Sequence, residues 1–151
     1  MSIKAQIDAD LKSAMLAHDE ASTVALRGLK AAILNEEVAK GLRETGLPDE
    51  EIERVIAREI KKRRESVEIY QQNGRSELAE GELLEIDKIG KYLPEQLSEG
   101  EIVEIVDGVL GSMPAGQVSN IGAVMGRVKG EIGTKADMGV VSKIVRERMQ
   151  S

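Results

Sequence analysis

Apolar residues recur at steps of three and four along almost the whole chain, and no stretch alternates with a period of two. The pattern therefore predicts helices and no strand. A first helix starts after Ser2, with Ile3, Ile7, Leu11 and Met15 on its inner face. A second runs from about Glu20 to Lys40 with Leu26, Leu29, Ile33 and Val38 inward, and Gly41 and Gly46 bracket the break after it. Pro48 suits the first turn of a long third helix, and Asp49, Glu50 and Glu51 suit its positive end. Its stripe is Ile52, Val55, Ile56, Ile60, Val67 and Tyr70, and Gly74 stops it. Ser76 is placed to cap a fourth helix carrying Leu78, Leu83, Ile86 and Ile89, and Tyr92-Leu93-Pro94 ends it.

A subdomain boundary is expected at that point. Ser98 and Glu101 have capping-box spacing ahead of a fifth helix with Ile102, Ile105, Val106, Val109 and Leu110. Gly111 to Gly116 reads as a loop. The sixth helix carries Ile121, Val124, Met125, Val128 and Ile132, with Gly122, Gly126, Gly130 and Gly133 among them. Asp137 can cap a seventh helix with Val141, Ile144, Val145 and Met149. Each interior glycine costs a helix roughly 1 kcal/mol relative to alanine. Two compatible readings follow: the glycines let the last helices pack closely, or they open backbone to a ligand.

Composition supports the helical reading. Of 151 residues only 2 are Tyr and none is Phe or Trp, so the core must be aliphatic, which suits helix bundles. The absence of cysteine excludes disulfides, thiolate metal sites and a cysteine nucleophile. No apolar run reaches the roughly 20 residues that span a bilayer, and the first residues lack a signal-peptide core. The expected compartment is the cytoplasm, with no membrane partner. Net charge is −6, spread unevenly: residues 1–75 carry −1, residues 76–113 carry −8 and residues 114–151 carry +3. An acidic waist precedes a basic C-terminal unit.

Candidate chemistry is sparse. Lys61-Lys62-Arg63-Arg64 has the look of a phosphate patch, but Glu59, Glu65 and Glu68 stand four residues from Arg63, Lys61 and Arg64 and can neutralise it. His18, the single histidine, falls at the end of the first helix, where it can meet the helix dipole. No nucleophile, base and orienting carboxylate come together in the sequence, and pairs such as Glu36-Glu37 or Glu82 with Glu85 read as solvated helix faces. No catalytic residue, metal site or cofactor is predicted. The last turn is different. Gly130-x-x-Gly133-x-Lys135 lacks the ending of a nucleotide-binding loop, yet free amides at the start of the last helix, with Lys135 beside them, suit a phosphate.

Taken in order, these residues resemble a family. Ile60-Lys61-Lys62-Arg63-Arg64-Glu65-Ser66, Gly74-Arg75 with Leu78-Ala79, and Glu82 with Glu85 match it. So do Tyr92-Leu93-Pro94 with Gln96-Leu97-Ser98, Val124-Met125-Gly126, Lys135-Ala136-Asp137 and Val141-Ser142. The chain resembles the stand-alone YqeY-like proteins of the GatB/YqeY family over nearly its full length.

The resemblance implies an all-α, multihelical protein: a larger N-terminal helical subdomain over residues 1–94 and a small C-terminal three-helix subdomain over residues 95–151. A similar region forms the tail of the B subunit of the tRNA-dependent amidotransferase, a carbon–nitrogen ligase with glutamine as amido-N-donor, and is understood there to hold the tRNA body. The catalytic sites of that enzyme are not matched. Two positions depart from the family pattern. Met138 stands where a glycine often follows Lys-Ala-Asp, and Asn120 and Ala123 replace a common Asp and Lys, which removes a cation.

The expected function is that of a helical adaptor binding tRNA, or a tRNA-handling enzyme such as an aminoacyl-tRNA synthetase or an amidotransferase subunit. The candidate contacts are Arg127, Lys129, Lys135, Lys143 and Arg146, with the backbone of Gly126, Gly130 and Gly133 giving close approach. The scarcity of aromatics disfavours stacking on single-stranded bases. The rival reading is a protein–protein module with no RNA role.

Overall fold

A computed structural model of the chain describes residues 1–150. It contains seven helices: α1 (Ile3–Leu16), α2 (Glu20–Ala39), α3 (Asp49–Gln72), α4 (Ser76–Gly90), α5 (Glu99–Ser112), α6 (Ile121–Ile132) and α7 (Met138–Gln150). No strand occurs among the described residues, so the all-α, multihelical expectation holds. Contacts divide the chain into one unit of Met1–Leu93 and a second from Pro94 onward.

In the first unit α3 packs against α1, α2 and α4. Its core joins Ile3 and Ile7 with Leu26, Leu29, Ile33, Ile52, Val55, Ile56, Ile60, Ile89 and Tyr92. The helix ends explain the path. Ser2 caps α1 by accepting the Ala5 N–H, and Asp19 caps α2 by accepting the Ser22 N–H. Asp49 opens α3 but also accepts the N–H of Ile3 at 3.1 Å, which ties the starts of α1 and α3. At the end of α2, Gly41 has φ +68 and donates to Val38, while Leu42 donates to Glu37. Gly74, at φ +70, ends α3 with the same pair of reversed hydrogen bonds. That turn carries Arg75 directly into α4, so Ser76 is the first helical residue and Arg75, not Ser76, stands at the cap.

Five side chains placed on the apolar stripes are exposed instead, among them Ile121 of α6 at 43%. Met15 is 48% exposed and Val38 58%, because the inner faces pass through Ala14 and Glu37. Leu78 and Leu83 on α4 are exposed, and Ala79 and Ile89 hold its buried face. A step of four rather than three moves a residue from one edge of a stripe to the other, and the sequence pattern does not choose between them.

In the second unit α5, α6 and α7 pack pairwise around Ile102, Val106, Val109, Met113, Val124, Val128, Ile132, Val141, Ile144 and Val145. Ser98 and Glu101 form the expected capping box. Helix α5 runs on through Gly111 to Ser112, so the following loop is shorter than the glycines suggested. Asn120 caps α6 by accepting the Ala123 N–H at 3.2 Å.

Candidate functional site

The segment joining α6 to α7 is pinned from the chain before α5. Leu97 donates its N–H to the Lys135 carbonyl at 2.8 Å, and the Gln96 amide donates to the Thr134 carbonyl at 3.1 Å. Gly133 closes α6 at φ 57 and ψ −126, a conformation that side chains disfavour. Lys135 is thereby fixed by its backbone while its side chain is exposed. Asp137 accepts the Gly139 N–H at 2.7 Å and caps α7. One of the amides expected to be free for a phosphate, that of Gly139, is therefore taken by a carboxylate.

On α6, Val124, Val128 and Ile132 point into the core. Gly122, Gly126 and Gly130 follow one another at steps of four on the far side, together with Lys129. A methyl group added at Gly126 or Gly130 would meet nothing within 4 Å. These glycines therefore do not serve close packing of the last three helices. They leave the outer face of α6 as open backbone.

Arg127, Lys129, Lys135, Lys143 and Arg146 are all exposed. None forms an ion pair among the described residues. Among the described residues the single side-chain hydrogen bond of this set is from Arg127 to the Ser112 hydroxyl, at 3.4 Å. In the first unit most cations are paired, although Lys12, Arg27, Arg43, Lys61 and Lys88 form no ion pair among the described residues. Lys4, Lys30, Lys40, Arg54, Arg58, Lys62, Arg63, Arg75 and Lys91 each lie within 4.0 Å of a carboxylate. The basic run of α3 is part of this pairing. Arg63 is held by Glu59 at 3.3 Å and by Glu85 of α4 at 2.9 Å, and Glu59 also takes Lys62. The Lys61–Glu65 pair does not form, and Lys61 stays exposed. The sequence did not reveal that Arg148 is neutralised by a two-point pair with Asp107 of α5, because 41 residues separate them.

Two polar groups of the first unit were also missed. Glu37, read as a solvated face, is 1% exposed. It accepts from Lys4 at 2.8 Å and from the Leu47 N–H at 3.0 Å. The lysine hydrogen bond holds its carboxyl below the ordinary glutamate value, against the opposing effect of burial. Tyr92 of the Tyr-Leu-Pro motif is buried and donates its hydroxyl to Asp10, which also pairs with Lys91 at 3.2 Å. Burial and that carboxylate push the Tyr92 hydroxyl upward, and the tyrosine hydrogen bond lowers Asp10. The motif thus locks the end of α4 to α1. Among the described residues no group of three or more His, Asp or Glu is arranged to hold a metal ion.

The class these features define is an all-helical protein whose second, three-helix unit presents unpaired cations around an open glycine face. The family described as Yqey-like protein matches residues 4–149, and the chain belongs to it. Curated relatives carry the name "Altered inheritance of mitochondria protein 41, mitochondrial". One, from Pyrenophora tritici-repentis, is 32% identical over 146 residues, which is 94% of this chain and 78% of the relative. One from Lachancea thermotolerans is 36% identical over 111 residues, covering 70% of this chain and 57% of the relative. One from Clavispora lusitaniae is 27% identical over 146 residues. These relatives are named as mitochondrial proteins, and that overturns the expectation of a cytoplasmic compartment.

Proposed function

We propose that the second unit binds structured RNA, with tRNA as the leading candidate, through the outer faces of α6 and α7. The observation that carries this reading is the set of unpaired cations. Arg127, Lys129, Lys135, Lys143 and Arg146 are exposed without a carboxylate partner, in a chain whose net charge is −6. Charge left unneutralised on exposed surface suits a polyanion, because each phosphate contact releases counterions and adds affinity. The glycine face of α6 lets a phosphate backbone approach the helix closely. The lack of aromatic side chains in this unit favours recognition by shape over stacking on bases. The resemblance of the sequence motifs to the tail of the tRNA-dependent amidotransferase B subunit favours the same reading, with the chain as an adaptor beside a tRNA-handling enzyme.

The test is binding of purified protein to total tRNA across a salt series, with an unstructured RNA of equal charge as control. Salt-sensitive binding that prefers folded tRNA is expected. Arg127→Ala with Lys135→Ala is expected to weaken it and lower the slope of log affinity against log salt by about 1–2. Unchanged affinity and slope in that variant, or no binding at low salt, would turn the reading to a protein–protein module.

A further inference from the structure

Helix α2 carries apolar side chains on two faces. Ala25, Leu26, Leu29 and Ile33 are buried in the core of the first unit. The opposite face lies in solvent: Val24 is 54% exposed, Leu34 42% and Val38 58%. Ala31 is exposed between them. Positions 24, 31, 34 and 38 are separated by seven, three and four, so they form one line along the helix, as a coiled-coil seam does. From Val24 to Val38 the line is about 21 Å long. Its one charged residue is Arg27, whose guanidinium rests 3.8 Å from the Met15 sulfur. Lys30, beside the line, is held by Asp8 at 2.7 Å. In a chain with 32% charged residues, a helix face this poor in charge is unusual.

The order of residues along the line is self-complementary about Ala31. An antiparallel second copy sets Val24 against Val38 of the partner subunit and Arg27 against Asn35 of the partner subunit. It also sets Gly28 against Leu34 of the partner subunit. Two alanines meet at the centre, where the helices come nearest. Each leucine faces a glycine, beside which the Arg63 guanidinium, paired with Glu59 and Glu85, lies 3.7 Å from where a β-carbon would stand, and Arg27 faces an uncharged side chain. A two-fold contact requires this kind of pairing, in which residue i meets j and j meets i. We propose that this face of α2 is the seam of a homodimer, with antiparallel α2 helices crossing at Ala31. A single helix pair of this length covers less than the roughly 800 Å² per partner of a standard stable interface, so the dimer is weak and concentration-dependent.

Sedimentation equilibrium of the full chain over a concentration series tests this. All substituted positions are exposed, so circular dichroism should show the fold retained. Wild type is expected to dimerise at high concentration. Val24→Lys alone, or Val38→Glu alone, is expected to raise the dimer dissociation constant about tenfold or more. The double variant is expected to recover, because the introduced opposite charges face each other only in the antiparallel register. Ala31→Cys, in a chain with no other cysteine, is expected to oxidise to a disulfide-linked dimer, while Ala5→Cys on α1 stays monomeric. A monomer at every concentration, which would leave the face to an unlike protein, overturns the proposal. So does a double variant no better than the singles, or cross-linking no faster at residue 31 than at residue 5.

Discussion

Glu37 shows how one buried charge can tie three parts of a chain together. Its carboxylate joins α2 to Lys4 of α1 and to the Leu47 amide after the α2–α3 turn. Replacing it by glutamine keeps the shape but removes the charge-assisted bonds, so Glu37→Gln should lower stability by about 2 kcal/mol at neutral pH. The pH dependence follows from the direction of its shift. A carboxyl held below its ordinary value stabilises the fold fully above that value, and the contribution fades as pH falls through the lowered one. Urea unfolding of both proteins at pH 7 and at about pH 3 should therefore show the gap closing at the acid end. His18 offers the opposite case. It sits at φ 55, donates to the Met15 carbonyl, and lets Asp19 donate to that of Ala14. That is the position glycine takes at the ends of α2 and α3, and a side chain there costs roughly 1 kcal/mol. His18→Gly should stabilise the protein by about that amount in the same measurement. A loss of stability would mean that the imidazole makes a compensating contact.

At the scale of the element, α6 separates two roles that glycine can have. Gly126 and Gly130 stand in open space on a regular helix, so alanine at both should fit and raise helix stability by up to about 1 kcal/mol each. If the open face admits a phosphate backbone, Gly126→Ala with Gly130→Ala should be more stable in thermal unfolding yet weaker in tRNA binding. A variant that gains stability and keeps its affinity would remove the glycine face from the interface. Gly133→Ala differs, since φ 57 with ψ −126 strains any side chain, and destabilisation by about 1–3 kcal/mol is expected. These roles also mark what the sequence could express. Periodicity, the capping box at Ser98 and Glu101, and the glycine stops were legible because they are local. The seven helices followed from them, while the family resemblance rested on short runs such as Tyr92-Leu93-Pro94 and Lys135-Ala136-Asp137. Arg63 with Glu85, Arg148 with Asp107, and Tyr92 with Asp10 join residues 22, 41 and 82 apart, and no local pattern encodes such pairs. The unpaired state of the α6–α7 cations was illegible for the same reason: it depends on which carboxylates the fold brings near.

At the scale of the molecule, two cores without shared members imply two cooperative units. Nature has supplied a reporter, because Tyr70 and Tyr92 are the only aromatic residues of the chain and both lie in the first unit. Tyrosine fluorescence therefore follows that unit, whereas helical circular dichroism follows both. Val128→Ala opens a cavity in the second core at a cost of about 2 kcal/mol. In a unit this small the loss should lower its midpoint by about 10 °C. The dichroism transition should then broaden or split while the tyrosine transition stays in place. Leu29→Ala, in the first core, should do the converse. A single transition moving together in both probes would show that the units unfold as one. The same pair of probes locates a ligand. A molecule bound only to the native second unit stabilises it by about 2.7 kcal/mol at one hundred times its dissociation constant. Saturating tRNA should therefore raise the dichroism midpoint of the second unit and leave the tyrosine midpoint unchanged. A rise in the tyrosine midpoint would place RNA contacts on the first unit as well. The paired cations of α3 would then have to exchange carboxylates for phosphates, and binding would weaken with Arg63→Ala as well as with Lys135→Ala.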